Sequence, residues 1–225
     1  MKRFAVFVAL VALAACSAGR PGDRDLRPVA NPSAVIATEL AFARTAQERG
    51  QWTAFRQFAA REAVMFVPEP VNAQEWLRRQ TDPPQAVQWQ PHQVWSSCDG
   101  TIAATRGAWQ RPDGSHGFFT TIWQRQDRGV YRWVLDHGDS TDEPLAAPEM
   151  IAATTADCGG TPATGSDLPM FASGKIQPFA SKASDDHTLL WSYNTTPDGS
   201  REVIAMLWNG TEYEMVVEDR IGEGN

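Results

Sequence analysis

The spacing of apolar residues changes period at Pro83-Pro84, and that change limits the fold more than any other feature of the chain. Upstream the period is helical. Asn31-Pro32-Ser33 sets a capping side chain and an early proline ahead of a stripe of Ile36, Leu40 and Ala43, and Gly50 stands where a helix ends. Residues 52–60 predict a second, shorter helix with Phe55, Phe58 and Ala59 on one face. Residues 63–67 predict a strand stopped by Pro68-Glu69-Pro70, and Asn72 with Glu75 three residues later predicts a capped helix running to Gln80. Downstream the period is two. Four runs, residues 86–97, 101–110, 117–125 and 130–137, are separated by Cys98-Asp99-Gly100, Arg111-Pro-Asp-Gly-Ser-His116 and Gln126-Asp-Arg-Gly129, all compatible with hairpins. Helices first and strands afterwards predict an α+β fold with an antiparallel sheet.

Residues 140–167 lose the alternation and predict a loop crossing back over the domain. The segment 168–220 then predicts a small β-meander, with strands at 188–194, 202–208 and 213–218 and turns at Pro197-Asp-Gly199 and Asn209-Gly210. This meander is expected either to extend the sheet or to cap its pocket.

The first sixteen residues carry a different message. Lys2 and Arg3 precede an apolar run from Phe4 to Ala15, the pattern of a secretory signal and too short to span a bilayer. The ending Leu13-Ala14-Ala15-Cys16 resembles a bacterial lipobox. The resemblance implies that Cys16 is acylated and becomes the mature N-terminus, with the membrane as a partner through its lipid. Ser17 in the second mature position resembles outer-membrane sorting, which places the protein in the cell envelope, facing the periplasm. Residues 17–33, rich in Gly and Pro, are expected to be a flexible tether. Formal charge is −7, and loss of the leader lowers it by two more as Lys2 and Arg3 leave. An acidic chain without a Lys/Arg cluster argues against a nucleic-acid partner and against electrostatic attraction to anionic headgroups.

With Cys16 lipidated, Cys98 and Cys158 remain as a pair in an oxidising compartment. Two buried thiols are the alternative to a disulfide; the disulfide is the expectation, and by closing a loop of about 60 residues it would contribute roughly 4 kcal/mol.

Residues 34–139 read α-α-β-α and then four strands. With Gly50-Gln51-Trp52 after the first helix, Ala63-Val-Met-Phe-Val-Pro68 before the third and Trp133-Val-Leu-Asp136 closing the last strand, this order resembles the nuclear transport factor 2-like fold. The superfamily includes ketosteroid isomerases, scytalone dehydratase and polyketide cyclases. The resemblance implies a cone: three helices packed on a curved sheet, with an apolar pocket at the wide end and room for a homodimer through the sheet. Function does not follow, because one fold hosts many activities.

Two residues are candidates for acid–base chemistry, Asp136 and His137, at the end of the fourth run. Alternation sets Trp133, Leu135 and His137 on one face and Val134 and Asp136 on the other, so only a bulge would aim both candidates into one pocket. A strand-end Asp bonded to backbone and a His on the rim are the alternatives. Glu69 and Arg106 are conceivable partners. The isomerase mechanism uses a Tyr beside its carboxylates, and the helical half has none. Four of the nine tryptophans, Trp95, Trp109, Trp123 and Trp133, are assigned to line a ligand pocket, against the alternative that they fill the cone. No His pair has metal-binding spacing, and no cofactor motif is present, so neither metal nor cofactor is expected. The leading expectation is binding of an apolar small molecule or an envelope partner; the alternative is a small lyase, isomerase or hydrolase working through Asp136 or His137.

Overall fold

Side-chain caps and one glycine start the helical layer. Asn31 caps α1 (Pro32–Arg49), its Oδ1 accepting the Ala34 N–H at 3.1 Å. Gly50, at φ 110°, turns the chain straight into α2 (Gln51–Phe58), a conformation that favours glycine. Asp82 closes the start of α2, accepting the Thr53 N–H at 2.9 Å and its hydroxyl at 2.6 Å. The computed structural model describes residues 29–162, 180–196 and 199–222. The expected leader, Cys16, the expected tether up to residue 28 and residues 163–179 lie outside the described residues.

The face that α1 buries differs from the expected one. Val35, Glu39, Phe42 and Ala46 point inward, whereas Leu40 is 41% exposed. The apolar stripe was real in spacing but rotated, because a glutamate occupies the inward face and hid it from a hydrophobic count.

After α2 come β1 (Ala59–Phe66), β2 (Pro70–Asn72), α3 (Ala73–Leu77), β3 (Gln88–Ser96), β4 (Ile102–Gln110), β5 (His116–Arg125), β6 (Tyr131–Ser140) and β7 (Ala152–Thr155). The predicted second helix is thus cut short at Phe58, and the strand begins at Ala59. The strands form one curved sheet in the order β2-β1-β6-β5-β4-β3-β7, antiparallel except for β1 beside β6 and β3 beside β7. The helices pack on its concave side, with Phe42 of α1 against Phe55, Phe58 and Trp89 at ring-centroid distances of 4.7 to 5.2 Å. The expected cone is present, with a mixed rather than purely antiparallel sheet. Strand β7 falls in the predicted loop: its side chains are all exposed, so no buried face marked it in the sequence.

The remaining strands, β8 (Ala180–Ala183), β9 (Leu189–Thr195), β10 (Arg201–Trp208) and β11 (Tyr213–Ile221), form a second, wholly antiparallel sheet in the order β11-β10-β9-β8. It neither extends the first sheet nor caps the pocket. It lies against the outer face of the large sheet, where Leu189, Trp191, Tyr193, Val203 and Val217 join the common core. Two turns of identical pattern, Ser97-Cys-Asp-Gly-Thr101 and Ser184-Asp-Asp-His-Thr188, dock reciprocally at the seam. Asp186 Oδ2 accepts the Asp99 N–H at 2.7 Å and Asp99 Oδ2 accepts the Asp186 N–H at 3.0 Å. A Cys98–Cys158 disulfide, with Cα atoms 5.3 Å apart, lies at the same seam.

Candidate functional site

Asp136 and His137 are neighbours on β6 and face opposite sides of the sheet. The pairing of β5 with β6 slips between Ile122 and Trp123: Trp123 stands opposite Trp133 but Ile122 opposite Leu135, so Val134 is a bulged residue. Trp133 and Asp136, expected on opposite faces, therefore both turn to the concave side. Trp133 packs on Phe55 at 6.0 Å, and Asp136 opens into a cavity of about 430 Å³.

The walls of that cavity are mostly aromatic. Phe42, Trp52 and Phe55 come from the helices, Met65 from β1, and Trp89, Trp109 and Phe119 from the sheet, while the Phe66 ring turns to the outer face against His137 and Tyr193. Trp109 is held at the mouth by its Nε1–H, which donates to the Phe118 carbonyl at 2.8 Å, and by Gly117, where a Cβ would collide with the indole. Polar groups are few: Gln51, Asp136, and Arg111, Asp139 and Ser140 towards the opening. Gln51 is committed already, since its Oε1 accepts the Val87 N–H at 3.0 Å.

Burial pushes the Asp136 carboxyl up to about 7, with the charge of Glu39 adding to the rise and the Thr121 hydroxyl, donating to Oδ2 at 2.7 Å, opposing it. Glu39 is wholly buried beneath. Its Oε1 accepts the Trp89 Nε1–H at 2.9 Å, and its Oε2 accepts the Thr105 hydroxyl at 2.6 Å and the Trp123 Nε1–H at 3.0 Å. Burial raises its carboxyl as well, against those three donors. Glu39 holds the cavity wall in place and does not line it.

On the outer face His137 Nε2 lies 3.0 Å from Asp219 Oδ2, with both side chains essentially inaccessible. Asp219 also accepts the Thr120 hydroxyl at 2.7 Å and pairs with Arg106, whose guanidinium covers the Phe118 ring at 4.4 Å. Burial holds the imidazole below its ordinary pKa, and its Nδ1 has no hydrogen-bond partner. Burial thus favours the neutral imidazole with its proton on Nε2. Against its own burial the Asp219 carboxyl is held low by the hydrogen bond from His137, the Arg106 charge and the Thr120 hydroxyl. Solvent touches this cluster at Arg106, whose side chain is 28% exposed, and not at His137 or Asp219. The cluster clasps the two sheets, as does Arg201, which donates to the Gly138 carbonyl at 2.9 Å and stacks over Phe66.

Of the tryptophans assigned to a pocket, Trp109 lines it. Trp123 and Trp133 are fully buried below its floor. Trp95 is on the far face: its neighbour Val94 pairs with inward-facing Thr105, so alternation turns Trp95 towards the second sheet. Arg106 is likewise on the far face, and Glu69 is exposed in the turn between β1 and β2. Among the described residues no three His, Cys, Asp or Glu side chains stand close enough to hold a metal ion. Sequence reasoning missed Arg111, Trp52, Phe55 and Phe119 on the cavity wall and Glu39 beneath it. The signal for Glu39 was there: a charge at the fourth position after Val35 and the third before Phe42, on the stripe those residues define.

No family model matches the chain, and no curated protein matches it. Among solved structures it is similar to a candidate ketosteroid isomerase of Parabacteroides distasonis, at 11% identity and a TM-score of 0.41, over 52% of this chain and 97% of that one. It is also similar to the CaMKII hub of S. rosetta, at 14% identity and a TM-score of 0.38, over 51% of this chain and 99% of that one. Nuclear transport factor 2 of Cryptosporidium parvum resembles it at 13% identity and a TM-score of 0.37, over 50% of this chain and 98% of that one. At these scores no activity, ligand or partner passes from those proteins to this chain, and the site rests on its own geometry.

Proposed function

We propose that the cone binds a small, mainly apolar molecule and directs one of its polar groups at Asp136. The observation that carries this reading is the contrast inside the cavity: aromatic walls enclosing about 430 Å³, with a single carboxyl set in them away from the opening. A pocket of that size, largely apolar with one or two placed polar groups, is the usual form of a small-molecule site. The test is a titration of the full chain with 2-naphthol, a planar apolar molecule with one hydroxyl, followed by tryptophan fluorescence. Saturable binding is expected, with an affinity that changes between pH 6 and 8 in the native chain and is flat in Asp136→Asn. Absence of saturable binding overturns the reading.

A second reading, acid–base catalysis, is favoured by one specific observation: a carboxyl pushed up to about 7 both holds and releases a proton near neutrality. Asp136 would carry the proton, and His137, sealed behind the sheet, takes no part. Turnover of any substrate should then follow a pH midpoint near 7 that vanishes in Asp136→Asn.

The same proposal includes the lipid-anchored envelope reading, with Cys16 acylated and the cone facing the periplasm of a bacterial outer membrane. The intact mass of membrane-extracted protein, carrying three acyl chains on a chain that begins at Cys16, is the outcome that supports it. A homodimer through the outer face of the large sheet has no place in this reading, because the second sheet of the same chain occupies that face.

A further inference from the structure

The mouth of the cone is charged on one side. Trp109, on its rim, is covered by the Arg111 guanidinium, which lies 4.6 Å from the ring centroid. Arg111 is itself exposed, and it borders two spaces at once: the aromatic cavity and a second hollow of about 540 Å³ beside it. That hollow is walled by Gln47, Gln85, Pro83-Pro84 and the hairpin at Pro112, and Arg111 is the one charged residue in its lining. The path from the cone floor outward therefore runs from apolar rings, past a guanidinium, into a polar space whose lining residues include no carboxylate. Asp113 of the same hairpin is held low by the Ser115 hydroxyl and, being near enough to Arg111, also by its charge. The other charged groups of the cavity lining are Asp136 and Asp139.

Resting on the binding reading above, we infer that the ligand is an amphiphile with a terminal anion: its apolar body fills the cone, its carboxylate, sulfate or phosphate group meets Arg111, and any larger head continues into the second hollow. A guanidinium whose face is occupied by an indole still presents its in-plane N–H donors, the geometry suited to a bidentate oxyanion. Arg111 is thereby the specificity-determining residue. The chain as a whole is acidic, at −7, so long-range electrostatics oppose an anion and a preference for one has to arise at this local contact.

The test compares four probes of one chain length, each below its micelle concentration: octyl sulfate, octyl β-D-glucoside, octyltrimethylammonium and 1-octanol. The full chain is titrated by calorimetry at pH 6, where Asp136, pushed up to about 7, is mainly neutral. Octyl sulfate is expected to bind about tenfold more tightly than the glucoside, as one charge-assisted contact supplies, and the trimethylammonium most weakly. Arg111→Met should bring the sulfate down to the glucoside. The ranking in the native chain needs no variant, so a misfolded variant does not obscure it. Equal or tighter binding of the trimethylammonium, or a sulfate preference that survives Arg111→Met, overturns the inference while octanol binding leaves the cone reading standing. Failure of all four probes, octanol included, overturns the cone reading itself.

Discussion

The two faces of β6 show what a sheet does with a polar residue. On the concave side Asp136 meets an aromatic cavity, one hydroxyl and open space; on the outer side His137 meets Asp219, and through it Arg106 and Thr120. Both residues are titratable and adjacent in the chain. The inner one keeps an unfilled hydrogen-bonding capacity and a route to solvent, whereas the outer one has its Nε2 satisfied and no route at all. Chemistry is therefore available on one face and cohesion on the other, and the difference arises from what the rest of the chain lays over each.

The largest effect should come from breaking the seam that holds the outer face. Replacing Cys98 and Cys158 together with Ser removes a cross-link spanning 60 residues and is expected to lower stability by about 4 kcal/mol, read from urea unfolding. Asp219→Ala should cost about 3 kcal/mol, because it leaves the Arg106 charge and the His137 donor without their partner. The comparison breaks if Asp136→Asn costs as much.

A smaller effect is expected at the cavity rim. Gly117→Ala forces a methyl into the Trp109 indole and the Asp139 carbonyl and should cost about 1–3 kcal/mol while shifting the tryptophan emission.

The pH dependence sharpens the contrast between the faces. Asp136 has a folded pKa raised from 3.8 to about 7, so the folded state binds more protons than the unfolded one between those values, and this group's contribution falls as pH rises through that window. Asp136→Asn should therefore gain stability relative to the native chain from pH 4 to pH 7. His137 has the opposite sign: its folded pKa is lowered from 6.5, so its contribution is present above that value and is lost on acidification below it. His137→Gln should flatten that acid-side loss. Equal slopes in the two variants would show that the faces are not distinct in the way described. The smallest effect is expected for Leu40→Lys, within about 0.5 kcal/mol, since Leu40 lies on the exposed side of α1.

Much of the chain was legible as local signal. The Asn31 cap, the Gly50 stop, the Asn72 cap and the hairpin turns between β3, β4, β5 and β6 all rest on short-range chemistry, and each stands where that chemistry puts it, although α3 ends at Leu77 and not at the expected Gln80. The pairing of Cys98 with Cys158 was legible from the count of cysteines once Cys16 was assigned to the expected lipobox. Strand β7 was not legible, because an edge strand with exposed side chains carries no alternation to read.

The site was legible only in its residue types. The sequence by itself determined an α+β chain with a helical half, an alternating half and a strand that ends in two titratable residues, because period and capping depend on near neighbours. It also implied that Asp136 and His137 face apart unless a bulge fell between them, and the pairing of β5 with β6 places the bulge at Val134 instead. Only the tertiary structure decided which of the two faces the cavity. The bulge at Val134 turned Asp136 inward beside Trp133, and a sheet formed by residues more than forty positions later covered His137. Both are properties of pairing register and of sheet-on-sheet packing, which depend on contacts between distant segments and leave no periodic trace in the chain.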